Sequence, residues 1–301
     1  MFNNDGSGVR AFFWRAGKMN PHKLQSAKGS ENVIPLGLLN PNLAPPPPPA
    51  GGLLTPRIEP VLAPRFSQDG LLCVVGAIGA DVYGLFVQNV EDRFPQDEEP
   101  KLPMRWDFLG RIPAWDSKIA SISITALASA SGIRVFVAAN ATFQDTHVET
   151  HIFSLDNPSG IFTELPLSAA IFNSTVNAMT AISDREAYGV TAGGSVIHWP
   201  VLSITSAHIW ELMSVGSWAG PLTAITADPT TRPPTLFVGA TGEVHVSVDR
   251  GKTWQPTRLG LPKTFQVSDL RWVDDGAGKR LYLSTYGRST WVAQIPEGGW
   301  G

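Results

Sequence analysis

The chain has 301 residues, of which 43% are hydrophobic and 16% charged, and its net charge is −3. This length suits one large all-β domain or two ordinary domains, and the hydrophobic share is enough for a buried core. The negative charge and the lack of an Arg/Lys cluster argue against a general nucleic-acid binder, since phosphate neutralisation requires clustered cations. A single cysteine excludes an intramolecular disulfide and a cysteine-based metal site.

Residues 1–40 form an N-terminal arm that lacks the pattern of a secretory signal. No apolar run in the sequence is long enough to cross a membrane as a helix, so we expect a soluble protein, compatible with the cytoplasm. Residues 41–56 form a proline-rich linker, whose five consecutive prolines at 45–49 must adopt the extended polyproline II conformation. The linker separates the arm from the rest of the chain.

From residue 57 onward the sequence repeats with a period of about 45 residues. Apolar, strand-like segments recur at 73–77, 135–139, 187–191, 236–240 and 281–285. A following strand carries one ring at a fixed place, occupied by Phe86, His151, His198, His245 and Trp291. A further element opens with an aromatic residue: Trp106, Phe162, Trp210 and Trp254. With an inner strand before each unit, this is the pattern of four-stranded propeller blades.

The repeat predicts an all-β fold, a β-propeller with five blades of four antiparallel strands. The blades span residues 57–110, 118–167, 174–214, 220–258 and 265–295, within a propeller domain of residues 57–301. The fifth unit has no outer strand of its own. A propeller must protect its terminal edges, so we expect residues 9–15 of the arm to complete the fifth blade.

One motif in the fourth unit is sharply defined. Its fixed positions follow the pattern S-x-D-x-G-x-T-W and are Ser247, Asp249, Gly251, Thr253 and Trp254. Short polar side chains hydrogen-bond the backbone of a tight turn, glycine accepts a backbone angle that a Cβ atom opposes, and tryptophan buries a large apolar area. These residue types therefore predict a structural strand-to-strand turn.

The chain resembles BNR/Asp-box repeat proteins of the sialidase-like β-propeller superfamily. The resemblance is carried by the 247–254 motif, by Gly-Leu-Pro at 260–262, by residues 281–288 and by residues 61–70. It implies a propeller fold. The superfamily includes sialidases, other glycosidases, sortilin-like receptors and photosystem assembly factors, so the resemblance leaves the activity open.

Ligands of propellers usually bind at the face built by two kinds of loop. These loops join the second strand to the third, and the outer strand to the next inner strand. The candidate residues there are Asp81, Trp115, Asp116, Asn173, Trp218, Glu243, Tyr286 and Arg288. The rings could stack on a sugar or form a protein hot spot, or they could cap the cores between blades. The sequence leaves both interpretations open.

Enzymatic alternatives are less favoured by the sequence. A sialidase needs an arginine cluster, and only Arg111 and Arg288 fall in such loops. A glycosidase needs two facing carboxylates. The acidic residues that could supply them are Asp81, Asp116, Asp145, Glu149 and Glu243. Carboxylates in loops, however, are far more often exposed to solvent without a catalytic role.

The aligned histidines do not predict a metal site, because they belong to neighbouring blades and share their place with Phe86 and Trp291. We therefore expect no metal and no cofactor. The sequence favours a non-catalytic binding or assembly propeller that engages a protein partner through its loop-rich face. The alternative is a carbohydrate-binding propeller, either a lectin or a glycosidase-related enzyme.

Overall fold

In the computed structural model, the regular secondary structure of the described residues is β-strand apart from one short helix. The structure describes residues 2–4, 9–11, 14–15, 18–19, 33–34, 57–60, 72–78, 80–87, 105–113, 118–129, 132–143, 147–155, 161–183, 186–199, 209–215, 218, 220–257, 259, 261, 264–274, 278–286 and 290–296. The predicted linker at 41–56 lies outside these ranges.

Five short strands lie in the N-terminal arm: β1 (Phe2–Asn4), β2 (Val9–Ala11), β3 (Trp14–Arg15), β4 (Lys18–Met19) and β5 (Val33–Ile34). Strand β2 is the middle of a three-stranded sheet, antiparallel to β1 on one side and to β5 on the other. Strands β3 and β4 pair with each other. A strand has only two edges, so β2 cannot also pair with the fifth sheet. The expected completion of the fifth blade by the arm stays a prediction.

The rest of the described chain forms five antiparallel sheets in sequence order. Sheet I contains β6 (Arg57–Pro60), β7 (Leu72–Ile78), β8 (Asp81–Val87) and β9 (Arg105–Arg111). Sheet II contains β10 (Lys118–Ser129), β11 (Gly132–Phe143), β12 (His147–Leu155) and β13 (Thr163–Leu165). Sheet III contains β14 (Val176–Ser183), β15 (Glu186–Thr191), β16 (Ser195–Trp199) and β17 (Glu211–Val215). The short helix α1 (Ala169–Phe172) links sheets II and III.

Two further sheets complete the series. Sheet IV contains β18 (Ala224–Asp228), β19 (Thr235–Gly239), β20 (Val244–Ser247) and β21 (Gln255–Pro256). Sheet V contains three strands, β22 (Val267–Asp274), β23 (Lys279–Thr285) and β24 (Thr290–Gln294). In each of sheets I to V, strands that are neighbours in sequence are neighbours in space. The prediction of four-stranded antiparallel sheets is thus confirmed for sheets I to IV.

The sheets stack through their first strands, which contact one another in the order β6, β10, β14, β18 and β22. A separate apolar core lies between each pair of consecutive sheets. Sheet IV is buried on both faces, since every residue of β18, β19 and β20 is buried. This is the arrangement of consecutive propeller blades. The described strands do not close into a ring, so the count of five blades stays a prediction.

Polar contacts fix the spacing between sheets II and III. The Asn140 side chain is 1% exposed and pairs with the Val176 backbone, accepting from its N–H at 2.9 Å and donating to its carbonyl at 3.1 Å. The same amide donates to Ser121 Oγ at 2.8 Å, and its oxygen accepts from Thr150 Oγ1 at 2.7 Å. One buried amide therefore extends the backbone hydrogen bonding from one sheet to the next.

Candidate functional site

Two sets of loops meet at one end of the stacked sheets. Among backbone bonds, the Ile112 N–H donates to Ala80 O at 2.8 Å, Ala192 N–H to Thr175 O at 2.8 Å and Tyr286 N–H to Gln266 O at 3.1 Å. Each bond ties a turn between second and third strands to a segment that follows or precedes a sheet. We call this surface the turn face; its described residues are 80–81, 112–113, 166–175, 192–194, 218–223, 240–243, 264–266 and 286.

Asp81 begins β8 at the turn face, but its carboxylate is not available to a ligand. The residue is only 6% exposed, and its Oδ1 lies 3.4 Å from Arg111 Nε, on the residue paired with it in β9. Burial raises the pKa of Asp81 above its usual value, and the Arg111 guanidinium opposes this rise. Asp81 and Arg111 therefore form an internal ion pair at the rim of sheet I.

The segments between consecutive sheets carry aromatic rings. These rings pack against the ring that recurs at one fixed place in the third strands. Phe172 meets His151 at a centroid distance of 5.4 Å, and Trp218 meets His245 at 5.0 Å, both edge-on. Phe265 and Trp291 are 6.1 Å apart. Trp218 is also held by a hydrogen bond from its indole N–H to the Gly194 carbonyl. These rings cap the apolar cores between sheets. For them, the contacts favour the capping role over a role in stacking on a sugar or forming a protein hot spot.

The three aligned histidines share a feature that the sequence interpretation missed: each lies beside a glutamate. His151 Nδ1 is 2.6 Å from Glu164 Oε1 and its Nε2 is 3.5 Å from Glu149 Oε2. His245 Nε2 is 2.8 Å from Glu243 Oε2. Glu149 and Glu243 precede their histidines by two residues, and residues two apart share one side of a strand. That spacing was a usable signal for the pairing.

His198 differs from the other two in its surroundings. It stacks on the buried Tyr188 at 4.4 Å, with an interplanar angle of 23°. Its Nε2 is 3.6 Å from Glu186 Oε1, and the Tyr188 hydroxyl donates to the same oxygen at 2.7 Å. The imidazole of His198 and then the hydroxyl of Tyr188 lower the pKa of Glu186, against an opposing effect of burial. The Glu186 carboxylate therefore contacts His198 and Tyr188 of its own sheet.

The remaining predicted residues differ in exposure. Tyr286 is 66% exposed at the end of β23, and Asn173 is exposed at the C-terminal end of α1. The Glu243 side chain is 42% exposed although it contacts His245. Three predicted candidates, Trp115, Asp116 and Arg288, lie outside the described residues, as does Asp145. Tyr286 is therefore the candidate ring most available to a ligand among those described.

The sharply defined motif forms the turn between β20 and β21, which we call the 247–254 turn. Ser247 Oγ donates to Asp249 Oδ1 at 2.7 Å and accepts from the Gly251 N–H at 2.7 Å. Asp249 accepts from the Thr253 N–H at 2.9 Å and from its hydroxyl at 2.6 Å. Gly251 has a φ of 84°, which a Cβ atom would oppose. All the side chains of this motif are used in holding the turn.

Asp249 carries the one carboxyl group of the 247–254 turn, and its pKa is shifted. Burial works against the charged form, but hydrogen bonds from the Thr253 hydroxyl and N–H and from Ser247 outweigh it. Together they lower the pKa of Asp249 to about 2. The negative charge of Asp249 is thus part of the turn's structure, and the turn lies at the end of the sheets opposite the turn face.

The structure describes three of the five acidic residues that the sequence offered for a glycosidase pair. Asp81, Glu149 and Glu243 belong to sheets I, II and IV, and each contacts its own arginine or histidine. Within the described ranges no group of three or more His, Cys, Asp or Glu residues is placed to hold a metal ion. No helix there is both long and apolar enough to span a membrane.

No family model and no curated protein matches the chain. Among solved structures, it is similar to YCF48 bound to D1 peptide, with 11% identity and a TM-score of 0.48 over 83% of this chain and 67% of the other. It is also similar to the GH74 enzyme of Niastella koreensis, with 14% identity and a TM-score of 0.48 over 73% of this chain. The match spans about a third (34%) of that enzyme's length. Likenesses this distant carry no argument for a ligand or an activity.

Proposed function

We propose that this chain is a non-catalytic binding or assembly propeller of the BNR/Asp-box kind, with five blades, that holds a protein partner on its turn face. The observation that carries the proposal is the exposure of Tyr286, which is 66% accessible on a face whose other described rings are packed inward. Tyrosine is enriched at the centres of protein interfaces, since its ring buries a large area and its hydroxyl can still hydrogen-bond.

The surroundings of Tyr286 support an interface. Its backbone is anchored to Gln266, so the ring projects from a fixed position. The neighbouring ring of Phe265 is partly buried, and the half-exposed Glu243 and the exposed Asn173 offer polar groups elsewhere on the same face. A rigid aromatic anchor with polar groups around it is the usual composition of a protein interface.

The described carboxylates favour binding over catalysis. Retaining and inverting glycosidases both need two carboxyl groups that face one substrate bond. Here Asp81 is buried against Arg111, while Glu149 and Glu243 each contact a histidine. Each carboxylate is engaged within its own sheet. This supports a non-catalytic role on the part of the turn face that is described.

The proposal is tested by comparing two single-residue variants as bait in the native host. Tyr286→Ala removes the exposed ring, and Ile161→Ala removes a side chain that is 86% exposed but lies just before β13, at the opposite end of the sheets. Proteins recovered by the wild type are identified, purified and titrated against all three forms. We expect Tyr286→Ala to weaken one of them about tenfold or more, and Ile161→Ala to leave its affinity unchanged.

Equal affinity of the three forms for every recovered protein would contradict the proposal. A glycan array run in parallel addresses the carbohydrate alternative. Glycan binding that is lost in Tyr286→Ala and retained in Ile161→Ala would replace the protein partner with a sugar.

A further inference from the structure

Sheet V differs from the other sheets at its outer edge. In sheets I to IV a fourth strand pairs with the third, whereas β24 is the last strand of its sheet in the described part of the chain. Its residues are mostly exposed, including Trp291 at 40% and Val292 at 55%. By the internal repeat, this edge is the place where the described strands supply no fourth member of the sheet.

The hydrogen-bond pattern shows which backbone groups this edge presents. Ile295 donates its N–H to Lys279 O at 2.9 Å, and the register of β24 with β23 continues without a bulge from Gln294 to Thr290. Along an antiparallel strand, the N–H and C=O groups of successive residues point alternately to one lateral edge of the strand and to the other. Ala293 and Trp291 thus bond to β23, while the N–H and C=O groups of Thr290, Val292 and Gln294 point to the open edge.

The sequence of β24 suits pairing. Its five residues, Thr-Trp-Val-Ala-Gln, contain three strand-favouring side chains and neither a charge nor a proline. Edge strands that must stay unpaired usually carry lysine, proline or a bulge to prevent the addition of another strand. β24 has none of these features, so its edge is suited to accept one.

The other sheets indicate what the missing strand looks like. The fourth strands of sheets II, III and IV each follow directly on an aromatic residue, and these rings are Phe162, Trp210 and Trp254. Phe162 and Trp210 are buried to 2% and 0% exposure, and Trp254 is partly buried. An occupant of the same kind is an extended segment that begins with an aromatic residue.

We propose that the outer edge of β24 accepts an extended strand of a partner protein, antiparallel and led by an aromatic residue. Strand β2 of the arm, part of the segment expected at this edge, has both of its own edges occupied within the arm. Strand addition of this kind draws affinity from main-chain bonds and specificity from alternate side chains.

The test uses the full chain and a fluorescent synthetic peptide that reproduces residues 104–112, which include β9, the longest of the fourth strands. Anisotropy titrations are repeated with two peptides N-methylated at alternate residues, 105, 107 and 109 in one and 106, 108 and 110 in the other. Only one set of N–H groups can face β24, so we expect one methylated peptide to bind like the parent and the other to lose at least about tenfold in affinity. Equal binding by both would overturn the proposal.

Substitutions in β24 itself provide a second test of this edge. Val292→Pro removes an outward N–H that β23 does not use, and we expect it to abolish peptide binding while leaving the far-UV circular dichroism unchanged. Val292→Ala keeps the N–H and should retain binding. A peptide that binds only after deletion of residues 1–20 would show that the arm fills the edge. A wild-type dimer that Val292→Pro converts to a monomer would show that a second copy fills it.

Either of the last two results overturns the proposal. Tyr286→Ala should leave peptide binding intact, so failure at this edge and failure of the turn-face proposal are distinguishable.

Discussion

The Lys279 ammonium lies 2.8 Å from Asp228 Oδ2, and the Asp228 residue is only 3% exposed. Asp228 ends the first strand of sheet IV and Lys279 begins the second strand of sheet V, so this ion pair joins two consecutive sheets. The same ammonium contacts Thr230 Oγ1 at 2.7 Å, and Asp228 Oδ1 accepts from the N–H and hydroxyl of Thr230. The pair is therefore embedded in a small polar network.

Removing the cation should destabilise the stacking of sheets IV and V. Lys279→Met keeps the length of the side chain but leaves the buried Asp228 carboxylate without its cation. Because the Lys279 side chain is 36% exposed, we expect a modest loss of about 1–2 kcal/mol in the free energy of unfolding, measured by urea denaturation. Lys252→Met, at an exposed lysine of the 247–254 turn, is the control and should cost almost nothing. Equal stability of both variants would contradict a role for the ion pair.

A glycine sets the distance between the same two sheets. A Cβ atom at Gly239 would lie 2.6 Å from Val267 Cγ1, which is too close for any real contact. Gly239→Ala should lower the free energy of unfolding by about 1–3 kcal/mol, as expected for overpacking. Gly193→Ala is matched to it, because the nearest atoms to that Cβ lie at an ordinary 3.7 Å. Thermal denaturation that gives the same midpoint for both variants would show that the sheets can move apart freely.

Acid should weaken the 247–254 turn through Asp249. Its pKa in the folded chain is about 2, below the usual value of 3.8, so its contribution to stability is present above about pH 4. That contribution is lost as the pH falls towards 2, because the unfolded chain takes up the proton first. Between pH 5 and pH 2 the wild type should therefore lose more free energy of unfolding than Asp249→Asn. Parallel losses in both proteins, measured by urea denaturation at each pH, would contradict this assignment.

Asn140 should be the costliest polar residue to replace between sheets II and III. Asn140→Ala leaves the N–H and carbonyl of Val176 without their partner, and we expect a loss of about 2–4 kcal/mol in the free energy of unfolding. Asn173→Ala is the control, since that side chain is exposed at the end of α1. Residues 140–142 match a glycosylation triplet, but burial of Asn140 makes the folded chain a poor acceptor. Similar stabilities of the two variants would mean that Val176 finds another partner.

Local patterns allowed much of the fold to be predicted. Recurring apolar segments placed the second strands, and the 45-residue spacing placed one sheet after another. The inner strand expected in the third unit is observed as β14. The interpretation of the histidine position as a place for a packed ring agrees with the contacts of His151 and His245.

Contacts between residues far apart in the chain could not be predicted from the sequence. The Asn140 contact with Val176 spans 36 residues, and nothing in either local pattern indicates it. The arm was expected to reach the fifth sheet because residues 9–15 carry a Trp where an outer strand would; β2 pairs within the arm, and completion of the fifth blade stays a prediction. Strand propensity specifies that a segment extends and does not specify its partner. For the same reason the sequence could not tell that Trp218 packs inward while Tyr286 remains exposed.

Hydrogen–deuterium exchange of the chain, alone and bound to the partner recovered with it, tests the role of the turn face most directly. We predict slower exchange in the bound state at residues 240–243, 264–266 and 286, where the turns of sheets IV and V meet. Protection confined to residues 229–234 and 248–253, at the opposite end of the same sheets, would contradict the account.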